Sequence, residues 1–205
     1  MISWEGIQTE VTSCVACRSA ITAVSVDCPP GLLYPSDVVP PDPIRILFIG
    51  VAPPQRGRHF YTEARDKLRL GLFRVLDALD IRLTSIPDFL GRGFFLVHTA
   101  KCGIAATHKP NLDVSTACSR RFLTREIALL HPLAICGLSA NVVHPVLREL
   151  STDWTLDAPL TLGRLTRAVV GGQTCSIMTT KYPTMQWEEE TRTHIGELLR
   201  VLATA

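Results

Sequence analysis

Seven cysteines stand in a chain of 205 residues, and four of them could share one site: Cys14, Cys17, Cys102 and Cys118. Cys14-Val15-Ala16-Cys17 is a Cys-x-x-Cys knuckle, able to hold two corners of a tetrahedral centre. Cys102 and Cys118 are the best further pair. Cys102 follows an apolar run that reads as a strand. Cys118 is expected in the first turn of a helix, where the dipole favours a thiolate. Zinc sites usually bring two closely spaced pairs, whereas fifteen residues separate Cys102 from Cys118. Scattered thiolates suit an iron–sulfur cluster at least as well. Cys136 and Cys175 lie in apolar runs and read as core, and Cys28 sits in a loop without an assigned role.

A second constellation lies at Arg45–Phe60, RILFIGVAPPQRGRHF. Ile46-Leu47-Phe48-Ile49 reads as a buried strand. It breaks at once into Gly50, Val51, Ala52 and Pro53. A loop after a strand C-terminus is the usual ligand position in an open α/β sheet, and small residues let backbone amides approach a ligand. No Lys-Ser/Thr follows, so this is not a phosphate P-loop, and no Gly-x-Gly-x-x-Gly supports a dinucleotide. Arg56, Arg58, Arg65, Lys67, Arg69 and Arg74 follow the loop, facing Glu63 and Asp66 in sequence. They read as a solvated face or as a rim for phosphates.

The elements needed to position these residues follow from periodicity. Phe94–Val97, Leu133–Cys136, Leu165–Val170 and Cys175–Thr179 are further candidate strands. Thr62–Leu79, Ser115–Leu130, Ala140–Leu150 and Trp187–Leu202 carry helical spacing, and a short helix precedes Cys14. Six of the fourteen prolines fall in Cys28–Pro43, which reads as an irregular loop. The alternation implies an α/β three-layer sandwich, with a central, mostly parallel four-stranded sheet flanked by helices. A single domain over residues 1–205 is expected at this length. The net charge of +2 demands no polyanion partner. No secretory signal and no membrane-length apolar run are visible, so a cytoplasmic protein of bacterial type with reduced thiols is expected. Nothing in the sequence signals oligomerisation, and a monomer is expected.

Taken together, these motifs resemble the iron–sulfur uracil-DNA glycosylases, the thermophile-type families numbered four and five. The resemblance rests on CVAC near the start, on the loop GVAPPQRGRHF, and on Lys101-Cys102, Lys109-Pro110 and Cys118 in that order. It implies a [4Fe-4S] cluster on Cys14, Cys17, Cys102 and Cys118, and DNA containing a damaged base as partner. It also implies hydrolysis of the N-glycosidic bond of a flipped base, with uracil first among candidates.

By the same resemblance Phe60 stacks the base, and Gly50, Val51, Ala52 and Pro53 shape its pocket. His98 replaces the family's base-reading asparagine. Tyr182-Pro183-Thr184 replaces its His-Pro-Ser motif. Val51 replaces the acid of family four, leaving Glu63 or Asp66 to polarise water or the sugar. An imidazole offers its donor and acceptor on opposite sides of the ring, and a phenol cannot become cationic. These departures keep two alternatives in view: a non-catalytic DNA- or lesion-binding protein on the same scaffold, and a zinc-stapled α/β protein. Phe60 and His98 read equally as core residues, and Glu63 or Asp66 as an acid of a helix's first turn.

Overall fold

The structure is a computed structural model and describes residues 3–16, 26–27, 38–53, 60–104 and 112–204. The elements run α1 (Trp4–Thr12), β1 (Val26–Asp27), β2 (Ile46–Gly50), α2 (Lys67–Asp77), α3 (Ile86–Gly91), β3 (Phe94–His98) and β4 (Gly103–Ile104). Then come α4 (Leu112–Cys118), a π-helical turn (Ser119–Leu123) and α5 (Thr124–Leu130). The chain continues through β5 (Ala134–Leu138), α6 (Val143–Leu150), β6 (Thr155–Leu156), β7 (Thr166–Val170), β8 (Gln173–Thr180) and α7 (Glu188–Ala203).

The main sheet has six strands in the order β3-β2-β5-β8-β7-β6. Its first four are parallel, as expected. The expected four-stranded sheet is corrected at the far edge, where β7 adds antiparallel to β8 and β6 antiparallel to β7. β7 and β8 form a hairpin across Gly171-Gly172, and both glycines have positive φ. The two-residue β6 is too short to leave a periodic signature. A separate ribbon pairs β1 with β4.

Every residue of β2, β3 and β5 is buried, which is why they read as unbroken apolar runs rather than alternating ones. Helices cover both faces. α2 packs with α7, which lies on β8 and β5, while α6 lies on β5 and β8 and meets α4. Gly137 allows that close approach, since a Cβ there would meet Val143 Cγ1 at 2.9 Å and Thr179 Cγ2 at 3.0 Å.

Three helix starts differ from expectation. α2 begins at Lys67 rather than Thr62, because the Asp66 side chain caps it by accepting from the Arg69 amide at 2.9 Å. The helix carrying Cys118 begins at Leu112, so Cys118 ends α4 instead of opening a helix. The dipole argument for its thiolate therefore does not hold; that effect is confined to the first turn. α6 likewise starts at Val143, after a turn in which the Ser139 hydroxyl accepts from the Val142 amide.

β3 is the outer strand of the sheet. Beyond it the Tyr61 hydroxyl accepts from the Leu96 amide at 2.7 Å and donates to the Leu96 carbonyl at 2.9 Å.

Candidate functional site

Register brings the four parallel strands to a common end. Gly50 sits opposite His98, and Leu138 opposite Thr180. The segments leaving β2 and β3 stay zipped together. The Thr99 amide donates to the Gly50 carbonyl and the Ala100 amide to the Val51 carbonyl, each at 3.0 Å. The Thr99 hydroxyl adds a 2.6 Å bond to the same Val51 oxygen. His98 is buried, and its ring lies over Gly50: a Cβ on that glycine would meet His98 Cδ2 at 3.0 Å. The strand end needs glycine here for that close approach. Val51 and Ala52 are partly exposed at the mouth, while Pro53 is buried.

The other wall comes from α2 and the segment after β8. Tyr182 is partly buried, and burial first, then the Asp66 charge, push its phenol well above the ordinary range. The hydroxyl therefore stays protonated and acts as a donor. The Asp66 charge thus reaches Tyr182, although 116 positions separate the two in the sequence. Glu63 accepts from the Arg65 amide at 3.2 Å, a local turn contact. Pro183 is buried against α2, and Thr184 is exposed beyond it.

Phe60 lies in an aromatic group behind this wall. It is 1% exposed and sits edge-on to Phe89 (5.0 Å between centroids), Tyr61 (5.2 Å) and Phe73 (6.1 Å). It is a member of the main core. Cys17, Cys28, Lys109-Pro110 and the Arg56 and Arg58 part of the basic cluster lie outside the described residues.

A model of the uracil DNA glycosylase superfamily matches residues 36–203. The chain belongs to that superfamily. No curated protein matches it. The uracil DNA glycosylase match spans β2 through α7 and with them the whole strand-end site. α1 and the Cys-x-x-Cys pair precede it.

One feature of this glycosylase-superfamily chain leaves no mark in its sequence. Just past Tyr182-Pro183-Thr184, Met185 is 81% exposed. Its loop is braced by Lys181, whose Nζ lies 3.5 Å above the Trp187 ring and 2.8 Å from Glu190. An isolated methionine offers no periodicity to read; only the fold sets it at the rim.

Of the four cysteines expected to share a site, Cys14, Cys102 and Cys118 are among the described residues. Cys14 packs against a satellite core of Ile7, Val11, Cys118 and Phe122, which docks α1 on the α4–α5 helix. Glu10 and Arg125 clasp the same helices through two 2.7 Å bonds. The Lys101 amide donates to Cys118 Sγ at 3.3 Å, bringing the neighbour of buried Cys102 to the same corner. Among the described residues, no three ligating side chains lie close enough to hold a metal ion. Soft thiols suit a sulfur-ligated group in their chemistry. Cys136 and Cys175 are core: burial pushes their thiols up to about 12 and about 11. Among the described residues, no helix is long and apolar enough to cross a membrane.

Proposed function

We propose that this protein is a DNA base-excision glycosylase that hydrolyses the N-glycosidic bond of a flipped, damaged base, with uracil the first candidate. The reading is supported by the superfamily match, by the buried His98 ring over Gly50 at the common strand end, and by the Asp66 charge acting on Tyr182. A glycosylase must extrude a base, hold its edge and stabilise a departing anion.

Each part has a candidate here. Tyr182, kept protonated, donates to a base oxygen. His98 donates to a second. Asp66 is the better placed of the two acids to polarise water or the sugar, because its charge reaches Tyr182 while Glu63 turns to its own loop. Gly50, Val51, Ala52 and Pro53 shape the mouth. Phe60, which the resemblance assigns to stacking the base, backs the pocket from the core. Met185 is suited to wedge between base steps as the nucleotide leaves the stack. Arg65, Lys67 and Arg69 on and beside α2 supply charge for the phosphate backbone. Arg74 is engaged with Glu188 at 3.3 Å.

Cys14, Cys17, Cys102 and Cys118 would hold a [4Fe-4S] cluster, which pins the N-terminal helix to the domain and supplies structure rather than chemistry at the base. Zinc on the same thiols would give a colourless protein.

The test is a panel of oligonucleotides carrying uracil, hypoxanthine, xanthine or alkylated bases, single- and double-stranded, treated with alkali after incubation. Cleavage at one lesion supports the enzyme. Retention of DNA without cleavage favours the second reading, a lesion binder on the same scaffold. The apolar Val51 and the donor Tyr182, which cannot become cationic, speak for that alternative.

A further inference from the structure

The pocket and the thiol corner meet at one buried lysine. Lys101 is 1% exposed and Glu126 is fully buried. Lys101 Nζ donates to a Glu126 carboxylate oxygen and, at 2.6 Å, to the His98 carbonyl. Its amide donates to Cys118 Sγ at 3.3 Å. The neighbouring backbone is equally engaged: the Ser119 hydroxyl donates to the Thr99 carbonyl at 2.9 Å, and the Thr99 and Ala100 amides bond the β2 exit. The π-helical turn at Ser119–Leu123 lies between the residues that grip this segment, Cys118 and Ser119 on one side and Glu126 on the other.

A buried ion pair is a costly way to fill a core, and apolar residues of similar size often do as well. The Glu126 carboxylate oxygen Oε1 has no hydrogen-bond partner among the described residues, so stability alone is a poor account of the pair. Its geometry gives a better one. A cation at this point fixes the carbonyl of the residue whose ring covers Gly50.

We propose that Lys101 is a positioning residue: its side chain clamps the His98 carbonyl, its amide holds the Cys118 sulfur, and Glu126 balances its charge. The clamp thereby sets the aim of the His98 ring. The catalytic consequence rests on the glycosylase reading; the clamp itself does not.

The test uses two full-length double variants that remove both charges at once, Lys101→Met with Glu126→Leu, and Lys101→Gln with Glu126→Gln. Removing both partners avoids stranding a buried charge. The first readout is the His98 ring signal in protein labelled with carbon-13 histidine, assigned by its loss in His98→Asn and recorded without DNA. The second is kcat and KM on a uracil-containing oligonucleotide. Melting close to that of the parent, a displaced or split ring signal, and kcat reduced about tenfold with KM little changed support the proposal. An unmoved ring signal in a folded double variant overturns it. Absence of cleavage by the parent on every lesion would remove the glycosylase reading, while the ring signal would still decide the clamp.

Discussion

Gly71 and Pro183 are in backbone contact: a Cβ built on Gly71 would lie 1.9 Å from the Pro183 carbonyl oxygen. No rotamer can relieve that overlap, because the obstacle is main chain. The contact presses the segment bearing Tyr182 onto α2, the helix that Asp66 caps.

Gly71→Ala therefore tests how the pocket wall is held. In an open helix the change would stabilise by about 1 kcal/mol. Here it should destabilise by about 2 kcal/mol, as overpacking does, and lower Tm by roughly 4–8 °C. Displacing Tyr182 should also lower glycosylase activity further than the loss of folded protein explains. A melting curve and an activity assay at 20 °C separate the two effects.

The two acids should part company. Asp66→Asn keeps a capping side chain but removes the charge near Tyr182. It should cut kcat about a hundredfold, the lower end for loss of a positioned acid–base group, with little change in Tm. Glu63→Gln should stay within about threefold of the parent. Equal losses in both variants would undo the assignment of Asp66.

Thiol chemistry discriminates the corner from the core. Cys118→Ala should abolish visible iron–sulfur absorbance and acid-labile sulfide in anaerobically purified protein. Cys136→Ala should preserve both, because burial holds that thiol near 12 and away from ligation at neutral pH. Alkylation at pH 8 in native conditions should spare Cys136 and Cys175 alike. Colourless protein containing zinc would point to the stapled alternative.

His144 supplies a pH dependence. Burial first, then the Arg148 charge, hold it below its ordinary 6.5. The unfolded chain then binds more protons than the folded one near that pH. Stability is complete above it and declines as pH falls through 6.5. His144 Nδ1 lies 2.8 Å from the Thr179 hydroxyl, a contact an amide can imitate. His144→Asn should flatten the fall in urea midpoint between pH 7.5 and 5.5, compared with the parent.

The sheet was legible because its central strands are buried on both faces, so Ile46–Ile49, Phe94–Val97 and Leu133–Cys136 stand out as apolar runs. β6 was not, since two residues carry no period. Cys118 was placed at a helix start because the polar stretch before it read as loop; Asp113, an acid in the first turn of α4, was the overlooked sign. Gly50 and His98 could be named separately from their motifs, but their contact depends on strand register. The approach of Asp66 to Tyr182 depends on α2 packing beside the end of β8, which no local pattern encodes. Lys101 stands out only as part of the Lys101-Cys102 motif and Glu126 not at all, since nothing in sequence says that a lysine after a strand turns inward.

The phenol of Tyr61 stands where a seventh strand would otherwise bind, satisfying both the donor and the acceptor of Leu96. Outer strands invite other chains to add themselves, and this one is apolar from Phe94 to Val97. A single hydroxyl thus acts as a stopper against sheet extension. Its removal by Tyr61→Phe would expose a sticky ladder and turn a well-behaved molecule toward head-on self-association.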